Sequence, residues 1–318
     1  MRKTMSELAQ RRPALMYCLL TFALTWTYEF AVCWPLVLRF GLQSLPGTAS
    51  IAGAMFFPAL GALLTRWLSG EGLHDAWIRP RQFGKTWRWY LAGWFLPLLL
   101  ILCGMLLFYS LFPDRFDPSL RSYLATIRVS VPGGAVPEIN AQTIGLFMLA
   151  LCFAPVLNFL PCFGEEWGWR GYLLPKLCEK HRLPYTILVS GLVWGLWHAP
   201  ITMLGHNYGT GYPGYPFTGI LAMCVLTIVM GCIFSWLTLR AGSCVPAIFA
   251  HGMFNGGAAL PLLFLKGTAN PFVGPAATGI IGGAGFIVCA LLCYRAMARR
   301  VQEGKSQFAD GTGPKTQL

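Results

Sequence analysis

The chain has 318 residues, of which 55% are hydrophobic and 11% are charged. Soluble domains carry about 25% charged residues, so this composition excludes a soluble globular protein and indicates several membrane spans. The net charge of +12 then belongs to loops and tails that face anionic lipid headgroups, and it does not indicate a nucleic-acid partner.

A membrane-spanning helix needs about 20 mostly apolar residues, and the hydrophobic runs of the chain predict eight such helices. They cover 13–38, 48–68, 88–112, 143–163, 184–204, 217–239, 243–265 and 273–297. No internal repeat is evident, and the polar connections are too short to fold as soluble domains. We therefore predict an all-α fold, a polytopic membrane helix bundle of about eight transmembrane helices.

The distribution of lysine and arginine predicts the orientation of this bundle. With the N-terminus in the cytoplasm, 19 of the 24 basic residues fall in cytoplasmic segments. The other five are Arg39, Arg115, Arg121, Arg128 and Lys266. An even number of spans agrees with this arrangement. We therefore expect an integral, multi-pass protein with both termini in the cytoplasm, in the cell membrane of a bacterium.

An acidic pair, Glu165 and Glu166, follows the fourth predicted span. If this segment is helical, Glu166 and Arg170 are i,i+4 neighbours and can pair. Glu165 then points about 100° away from Glu166 and faces something else. Taken alone, the pattern is also compatible with an ion pair at a membrane edge.

Two histidines lie within predicted spans, His198 on the fifth and His251 on the seventh. Asn255 follows His251 by four residues and shares its helix face, and Trp194 precedes His198 by four and can pack on its ring. Ionisable groups at membrane depth are costly, so they face the bundle interior and are functional candidates. Either histidine alone is equally compatible with a structural hydrogen bond.

Glu165, His198 and His251 together form a more informative combination. Two imidazoles and one carboxylate are a known ligand set for catalytic zinc. The same three side chains without a metal can serve as a general base and its polar supports, and Asn255 can donate to an oxyanion. The HExxH pattern of soluble zinc proteases is absent.

Two other ionisable residues are left outside this predicted site. Glu29, midway along the first span, is interpreted as a hydrogen-bonding residue that faces the bundle. His206 is expected to be an exposed residue of the loop 205–216.

Three motifs in order resemble those of the CAAX protease and bacteriocin-processing family of intramembrane proteases. They are Glu-Glu-x-x-x-Arg at 165–170, aromatic-x-x-x-His at 194–198 and His-x-x-x-Asn at 251–255. The second motif usually begins with phenylalanine, and Trp194 stands there in this chain. The matching region covers about 143–258, between N-terminal spans at 1–142, a C-terminal span at 259–300 and a tail at 301–318 that we expect to be disordered.

The resemblance implies an eight-helix protease with an intramembrane cavity that opens toward the cytoplasm. Glu165 would activate the water, His198, His251 and Asn255 would complete the site, and Glu166 and Arg170 would support it. The cofactor is either zinc, held by Glu165, His198 and His251, or none. The expected substrate is a peptide or protein, lipidated or otherwise associated with the membrane, and the other partner is the lipid bilayer.

Two other functions are compatible with the sequence. A non-catalytic immunity or peptide-binding protein can use the same fold. A proton-coupled transporter can use Glu29, Glu165 and the two histidines as a relay, although transporters often carry an internal repeat, which this chain lacks.

Overall fold

The computed structural model describes residues 2–130 and 138–309, with side chains from 4 to 125 and from 138 to 299. Within these ranges the protein is helical, and the one β-type pairing is a single bridge between Phe116 and Leu265. The predicted all-α class is therefore confirmed. The helices are α1 Arg2–Arg11, α2 Pro13–Tyr28, α3 Trp34–Phe40, α4 Leu45–Ala54, α5 Phe57–Ser69, α6 Phe83–Leu111, α7 Arg121–Ser130, α8 Ala141–Cys152, α9 Ala154–Leu157, α10 Phe159–Gly168, α11 Leu174–Lys180, α12 Leu183–Trp197, α13 Ala199–Thr202, α14 Phe217–Ala241, α15 Val245–Gly257 and α16 Ala284–Ala309.

Five helical segments of the described chain are long and apolar enough to cross a membrane, whereas the sequence predicted about eight. They are Pro13–Phe40, Leu45–Ser69, Phe83–Leu111, Phe217–Ala241 and Val245–Phe264. Two shorter apolar helices, α8 and α12, stand where the fourth and fifth spans were expected. The bundle is thus polytopic, and three of the predicted spans differ in length or start.

Proline and glycine explain these three differences. The fourth predicted span is divided at Phe153 and Asn158, because Pro155 lies in the first turn of the short helix α9 and begins a new helix more readily than it continues an old one. Pro200 has the same position in α13, directly after α12. The eighth span was predicted from residue 273, but the stretch before α16 is rich in glycine and proline and forms turns.

The end of the chain also differs from the expectation. Helix α16 continues to Ala309, so residues 301–309, assigned to the disordered tail, are helical. The sequence of this part contains Gln302, Glu303 and Lys305, which have good helix propensity. Residues 310–318 of the predicted tail lie outside the described residues.

Two single turns of π-helix interrupt the spans. One, Glu29–Cys33, joins α2 to α3, and the other, Trp169–Leu173, joins α10 to α11. A π turn is often found at functional sites. The second π turn contains Arg170, so the first motif crosses from α10 into irregular helix.

Helix α14 lies at the centre of the bundle and packs against α12, α15, α16 and α6. Small residues allow the closest of these approaches. A Cβ on Gly191 of α12 would lie 2.6 Å from the Cα atom of Ile228, and one on Gly195 would lie 2.5 Å from that of Cys224. Small residues at helix interfaces are typical of membrane proteins, where van der Waals packing replaces the hydrophobic effect. Helices α12 and α15 and the π turn that contains Arg170, which carry parts of the three motifs, therefore all pack against α14.

Candidate active site

The carboxylate of Glu165 is held by two indole groups. Trp194 of α12 donates its Nε1–H to Oε2 of Glu165 at 2.7 Å, and Trp169 donates to the same oxygen at 3.4 Å. Only 2% of the Glu165 surface is exposed. The first two motifs are therefore joined by a direct contact between α10 and α12.

The second carboxylate, Glu166, links the first motif to the third. Arg170 donates from Nη1 to Oε1 of Glu166 at 3.0 Å, as the i,i+4 spacing predicted. His251 of α15 donates from Nδ1 to the same oxygen at 2.9 Å. All three side chains are buried. Since a carboxylate only accepts, the Nδ1 atom of His251 carries a hydrogen and Nε2 is left for other partners.

Arg170 is held by aromatic rings as well as by Glu166. Its guanidinium carbon lies 4.1 Å from the ring centre of Trp194 and 5.2 Å from that of Phe234. A guanidinium over an aromatic face is attracted by the ring quadrupole, most strongly where water is excluded. Trp194 therefore contacts a carboxylate at its edge and a cation at its face.

His198 directly follows α12, and its ring orientation is set by its own backbone. Its Nδ1 atom lies 2.8 Å from the carbonyl oxygen of Trp194. A carbonyl oxygen only accepts, so Nδ1 carries the hydrogen and the neutral ring has its lone pair at Nε2. The ring packs on Trp194, as predicted, with centroids 5.9 Å apart, and on Trp197 at 4.7 Å.

Four of the six predicted site residues line one cavity of about 390 Å³, namely Glu165, His198, His251 and Asn255. Glu166 and Arg170 are not part of its wall and lie behind His251 and Trp194. The structure therefore brings all three motifs together, with one carboxylate, two imidazoles and one amide at the surface of the cavity. The Asn255 amide also contacts the sulfur of Cys162 at 3.6 Å.

His206 lines the same cavity, which the sequence interpretation missed. Its ring is parallel to that of His198, with an angle of 8° between planes and 6.4 Å between centroids. The expectation of an exposed loop residue is wrong, because the turn after α13 folds back over the cavity. No local pattern in the sequence indicates that return.

Trp197 is a second residue that the motifs did not indicate. It donates from Nε1 to Oγ1 of Thr25 at 2.8 Å, and its carbonyl oxygen accepts from Nε1 of Trp26 at 3.2 Å. These two hydrogen bonds join α2 of the first span to the residue next to His198. The first span therefore supports the helix end that carries the second motif.

Glu29 is fully buried, and neither of its carboxylate oxygens has a hydrogen-bond partner among the described side chains. It does not belong to the lining of the cavity. Its place outside the site agrees with the sequence interpretation, whereas the hydrogen bond expected of it is not formed.

The predicted zinc ligands do not form a compact cluster. In the described part of the chain, no three His, Cys, Asp or Glu side chains are close enough together to hold one ion. One oxygen of Glu165 is already bound to two indoles. The zinc site stays a prediction, and no step of the proposed mechanism passes through a metal.

A known protein family is similar to the part of the chain that carries the site. Residues 144–257 match the family model described as type II CAAX prenyl endopeptidase, Rce1-like. The resemblance to the CAAX protease family is confirmed. All three motifs lie within the matched segment, and the spans up to α6 and the helix α16 lie outside it.

The CAAX prenyl protease 2 of Methanococcus maripaludis is 30% identical to the chain over 136 residues, which are 42% of the chain and 49% of the relative. The chain thus spans about half the length of the curated relative that it matches. No solved structure matches the chain. Together with the five apolar spans, the match to a CAAX protease domain makes the chain an integral membrane protein.

Proposed function

We propose that the chain is a CAAX-type intramembrane endopeptidase that hydrolyses a peptide bond near the membrane. The observation that carries the proposal is the convergence of Glu165, His198, His251 and Asn255 on one cavity, from three separate helical regions. The match of residues 144–257 to a CAAX endopeptidase family supports the same reaction class.

In the proposed reaction, Glu165 takes a proton from a water molecule in the cavity, and the hydroxide attacks the carbonyl carbon of the scissile bond. The indole N–H groups of Trp194 and Trp169 hold the carboxylate in place for this step. They contact one oxygen, Oε2, and leave Oε1 for the water. Positioning of this kind lowers the entropic part of the barrier.

The developing oxyanion is stabilised from the other side of the cavity. The Asn255 amide is a donor that lines the cavity wall. His251 is a second donor when its ring carries a hydrogen on Nε2, and the adjacent Glu166 carboxylate stabilises the resulting positive charge. Preorganised donors of this kind account for a large share of catalysis in many hydrolases.

Breakdown of the intermediate needs a proton on the leaving nitrogen. His198 has its Nε2 atom available, because Nδ1 is engaged by the Trp194 carbonyl. We assign to it the relay of the proton that Glu165 took from the water: Nε2 receives this proton and passes it to the leaving nitrogen. The carbon–nitrogen bond then breaks, and the products are a carboxylic acid and an amine. The substrate is a peptide or protein, and a lipid anchor or a membrane-embedded segment is what brings it to this depth.

A non-catalytic immunity or peptide-binding protein is the second candidate. It is favoured by the largely apolar wall of the cavity, which includes Ile51, Met55, Ile201, Met223 and Leu226. Binding alone does not require the buried, linked side chains of Arg170, Glu166 and His251, since each buried charge costs several kcal/mol of desolvation. Catalysis therefore explains this group of charged side chains better than binding does.

The proposal is tested by incubating purified protein in lipid vesicles with membrane proteins of its host and identifying new peptide termini by mass spectrometry. Wild type is expected to produce termini that His251→Ala does not produce. If both produce the same termini, or neither does while a bound peptide is recovered from each, the peptide-binding function replaces the protease.

The metal question is answered by the metal content of the same preparations. Near-stoichiometric zinc in wild type, lost in both Glu165→Ala and His251→Ala, would support the predicted zinc site. Active wild type without zinc would support the mechanism in which glutamate alone activates the water.

A further inference from the structure

Three connections of the chain line the cavity, and they all lie at one end of the bundle. They contribute Leu42 and Gln43 between α3 and α4, His206 and Asn207 between α13 and α14, and Ala258 and Ala259 after α15. Each of these connections follows a helical segment that has crossed the bundle. We call this end the cavity end.

The opposite end of the bundle is defined by contacts among a different set of connections. The backbone N–H of Cys244 donates to the carbonyl oxygen of Trp77 at 2.7 Å, and the hydroxyl of Ser243 donates to the carbonyl oxygen of Ile78 at 3.0 Å. Lys176 pairs with Glu71 at 3.0 Å. These contacts join the connection 70–82 to the turn before α15 and to α11. None of the residues that line the cavity comes from these connections.

A further contact adds the N-terminus to the opposite end, because Lys180 donates to the carbonyl of Arg11 at 3.2 Å. The helix α1 therefore lies at the end that the cavity does not reach. Since α16 starts after the connection at the cavity end and runs as one helix, Arg295 and Arg299 lie toward the opposite end as well.

Basic side chains are distributed very unequally between the two ends. The opposite end carries Arg11, Arg12, Arg66, Arg79, Arg81, Lys85, Arg88, Lys176, Lys180, Arg182 and Arg240. The cavity end carries Arg39, Arg115, Arg121 and Lys266. An excess of lysine and arginine in short loops marks the cytoplasmic side of a membrane protein. The charge distribution therefore places the opposite end, with the N-terminus, in the cytoplasm.

The sequence led us to expect a cavity that opens to the cytoplasm and also cytoplasmic termini. In this fold the cavity and the N-terminus lie at opposite ends of the bundle, so both expectations cannot hold. We propose that the cavity opens on the non-cytoplasmic side of the membrane. Its substrate is then an extracytoplasmic or membrane-embedded segment of an exported or membrane protein, not the C-terminus of a cytosolic one. The cleavage of a substrate in this cavity rests on the proposed function, whereas the direction in which the cavity opens does not.

The lining of the cavity agrees with an internal peptide segment as the occupant. Its polar members include Gln43, Thr48, Asn158 and Asn207, which are uncharged, and no lysine or arginine is among the described lining residues. Recognition of a free C-terminal carboxylate relies on cationic groups or clusters of backbone N–H donors. Apart from the histidines, the described wall has no side chain that can carry a positive charge, and this favours an uncharged stretch within a chain.

The direction of the cavity is tested by cysteine accessibility with a membrane-impermeant maleimide. Gln43→Cys and Lys266→Cys place an exposed thiol at the cavity end, and Lys85→Cys is the matched control at the opposite end. In intact spheroplasts we expect full labelling of Gln43→Cys and Lys266→Cys, and labelling of Lys85→Cys only after lysis. Wild type, whose cysteines are buried or lie within helices, provides the background.

The reverse pattern, or labelling of all three variants in intact spheroplasts, would overturn the inference. Two reporters at the cavity end keep the test decisive if one variant is not inserted. The assay does not use proteolysis, so the expected labelling together with an absence of cleavage would overturn the proposed function and leave the direction of the cavity standing.

Discussion

Trp194 donates its indole N–H to the carboxylate of Glu165 at 2.7 Å, and this bond joins the first two motifs of the chain. The same indole ring lies under the Arg170 guanidinium and meets the ring of His251 edge-on, with 5.5 Å between centroids. In the family that the chain resembles, phenylalanine usually stands at this position. The replacement by tryptophan therefore adds a hydrogen-bond donor that orients the proposed catalytic carboxylate.

The variant Trp194→Phe removes this donor and keeps an aromatic ring. A hydrogen bond to a charged group contributes about 1.5–3 kcal/mol, so we expect the rate of proteolysis to fall by roughly 10- to 100-fold. Trp236→Phe is the control, because the Nε1–H of Trp236 has no hydrogen-bond partner among the described residues. Steady-state cleavage by the two variants should differ, and equal rates would contradict the assigned role of Trp194.

The Arg170–Glu166 pair gives a prediction for stability. Glu166→Gln removes the negative charge and leaves the Arg170 guanidinium, which is 1% exposed, without its counterion. Removing one partner of a buried ion pair costs about 3–5 kcal/mol, so a large decrease in thermal stability in detergent is expected. Glu179→Gln removes the more distant of the two carboxylates that pair with Lys176, at 3.9 Å and 56% exposed, and should change the free energy of unfolding by no more than about 1 kcal/mol. Similar melting temperatures for both variants would contradict the account of this pair.

The hydrogen bond from Trp197 to Thr25 predicts a contribution of the first span to catalysis. Thr25→Val keeps the shape of the side chain and removes the acceptor, so Trp197 loses one of the contacts that hold it beside His198. We expect a lower kcat with little change in KM, and recovery of kcat in Thr25→Ser. If Thr25→Ser is as impaired as Thr25→Val, the effect is one of packing and not of positioning through the hydrogen bond.

Two glycines, one within the first motif and one in α8, predict opposite effects of alanine. A Cβ on Gly168 would lie 2.5 Å from the hydroxyl of Tyr17 and 2.6 Å from the backbone of Pro58. Such overpacking costs about 1–3 kcal/mol. A Cβ on Gly145 of α8 would meet no atom within 4 Å, so Gly145→Ala should be neutral or stabilise by about 0.5–1 kcal/mol through helix propensity. Thermal unfolding of both variants in one detergent checks the difference in sign.

Local spacing was sufficient to predict several contacts of the site. The i,i+4 intervals predicted the Glu166–Arg170 pair and the packing of Trp194 on His198, because both contacts lie within one helical region. Contacts between distant segments were not predictable from spacing. The bond from Glu166 to His251 and the stacking of His206 on His198 depend on how helices and loops return to the same place.

The membrane spans were predicted less well than the contacts within one helical region, for a physical reason. Hydropathy reports the composition of a segment and is insensitive to a single helix break. Pro155 therefore divides a run that is apolar throughout, and the turns before α16 shorten another. Loop charge predicts an orientation of the chain in the membrane, but which loops line the cavity became known only from the three-dimensional arrangement.

The most direct test of the central claim compares two buried carboxylates, Glu165 in the cavity wall and Glu29 outside it. Both are replaced by glutamine, which keeps the side-chain shape and, at Glu165, an oxygen that accepts from Trp194. The rate of cleavage of one identified substrate is measured for both folded variants. Loss of general-base catalysis lowers a rate by about 10²- to 10⁴-fold, and we predict such a loss for Glu165→Gln and nearly wild-type cleavage for Glu29→Gln. Wild-type cleavage by Glu165→Gln would contradict the account.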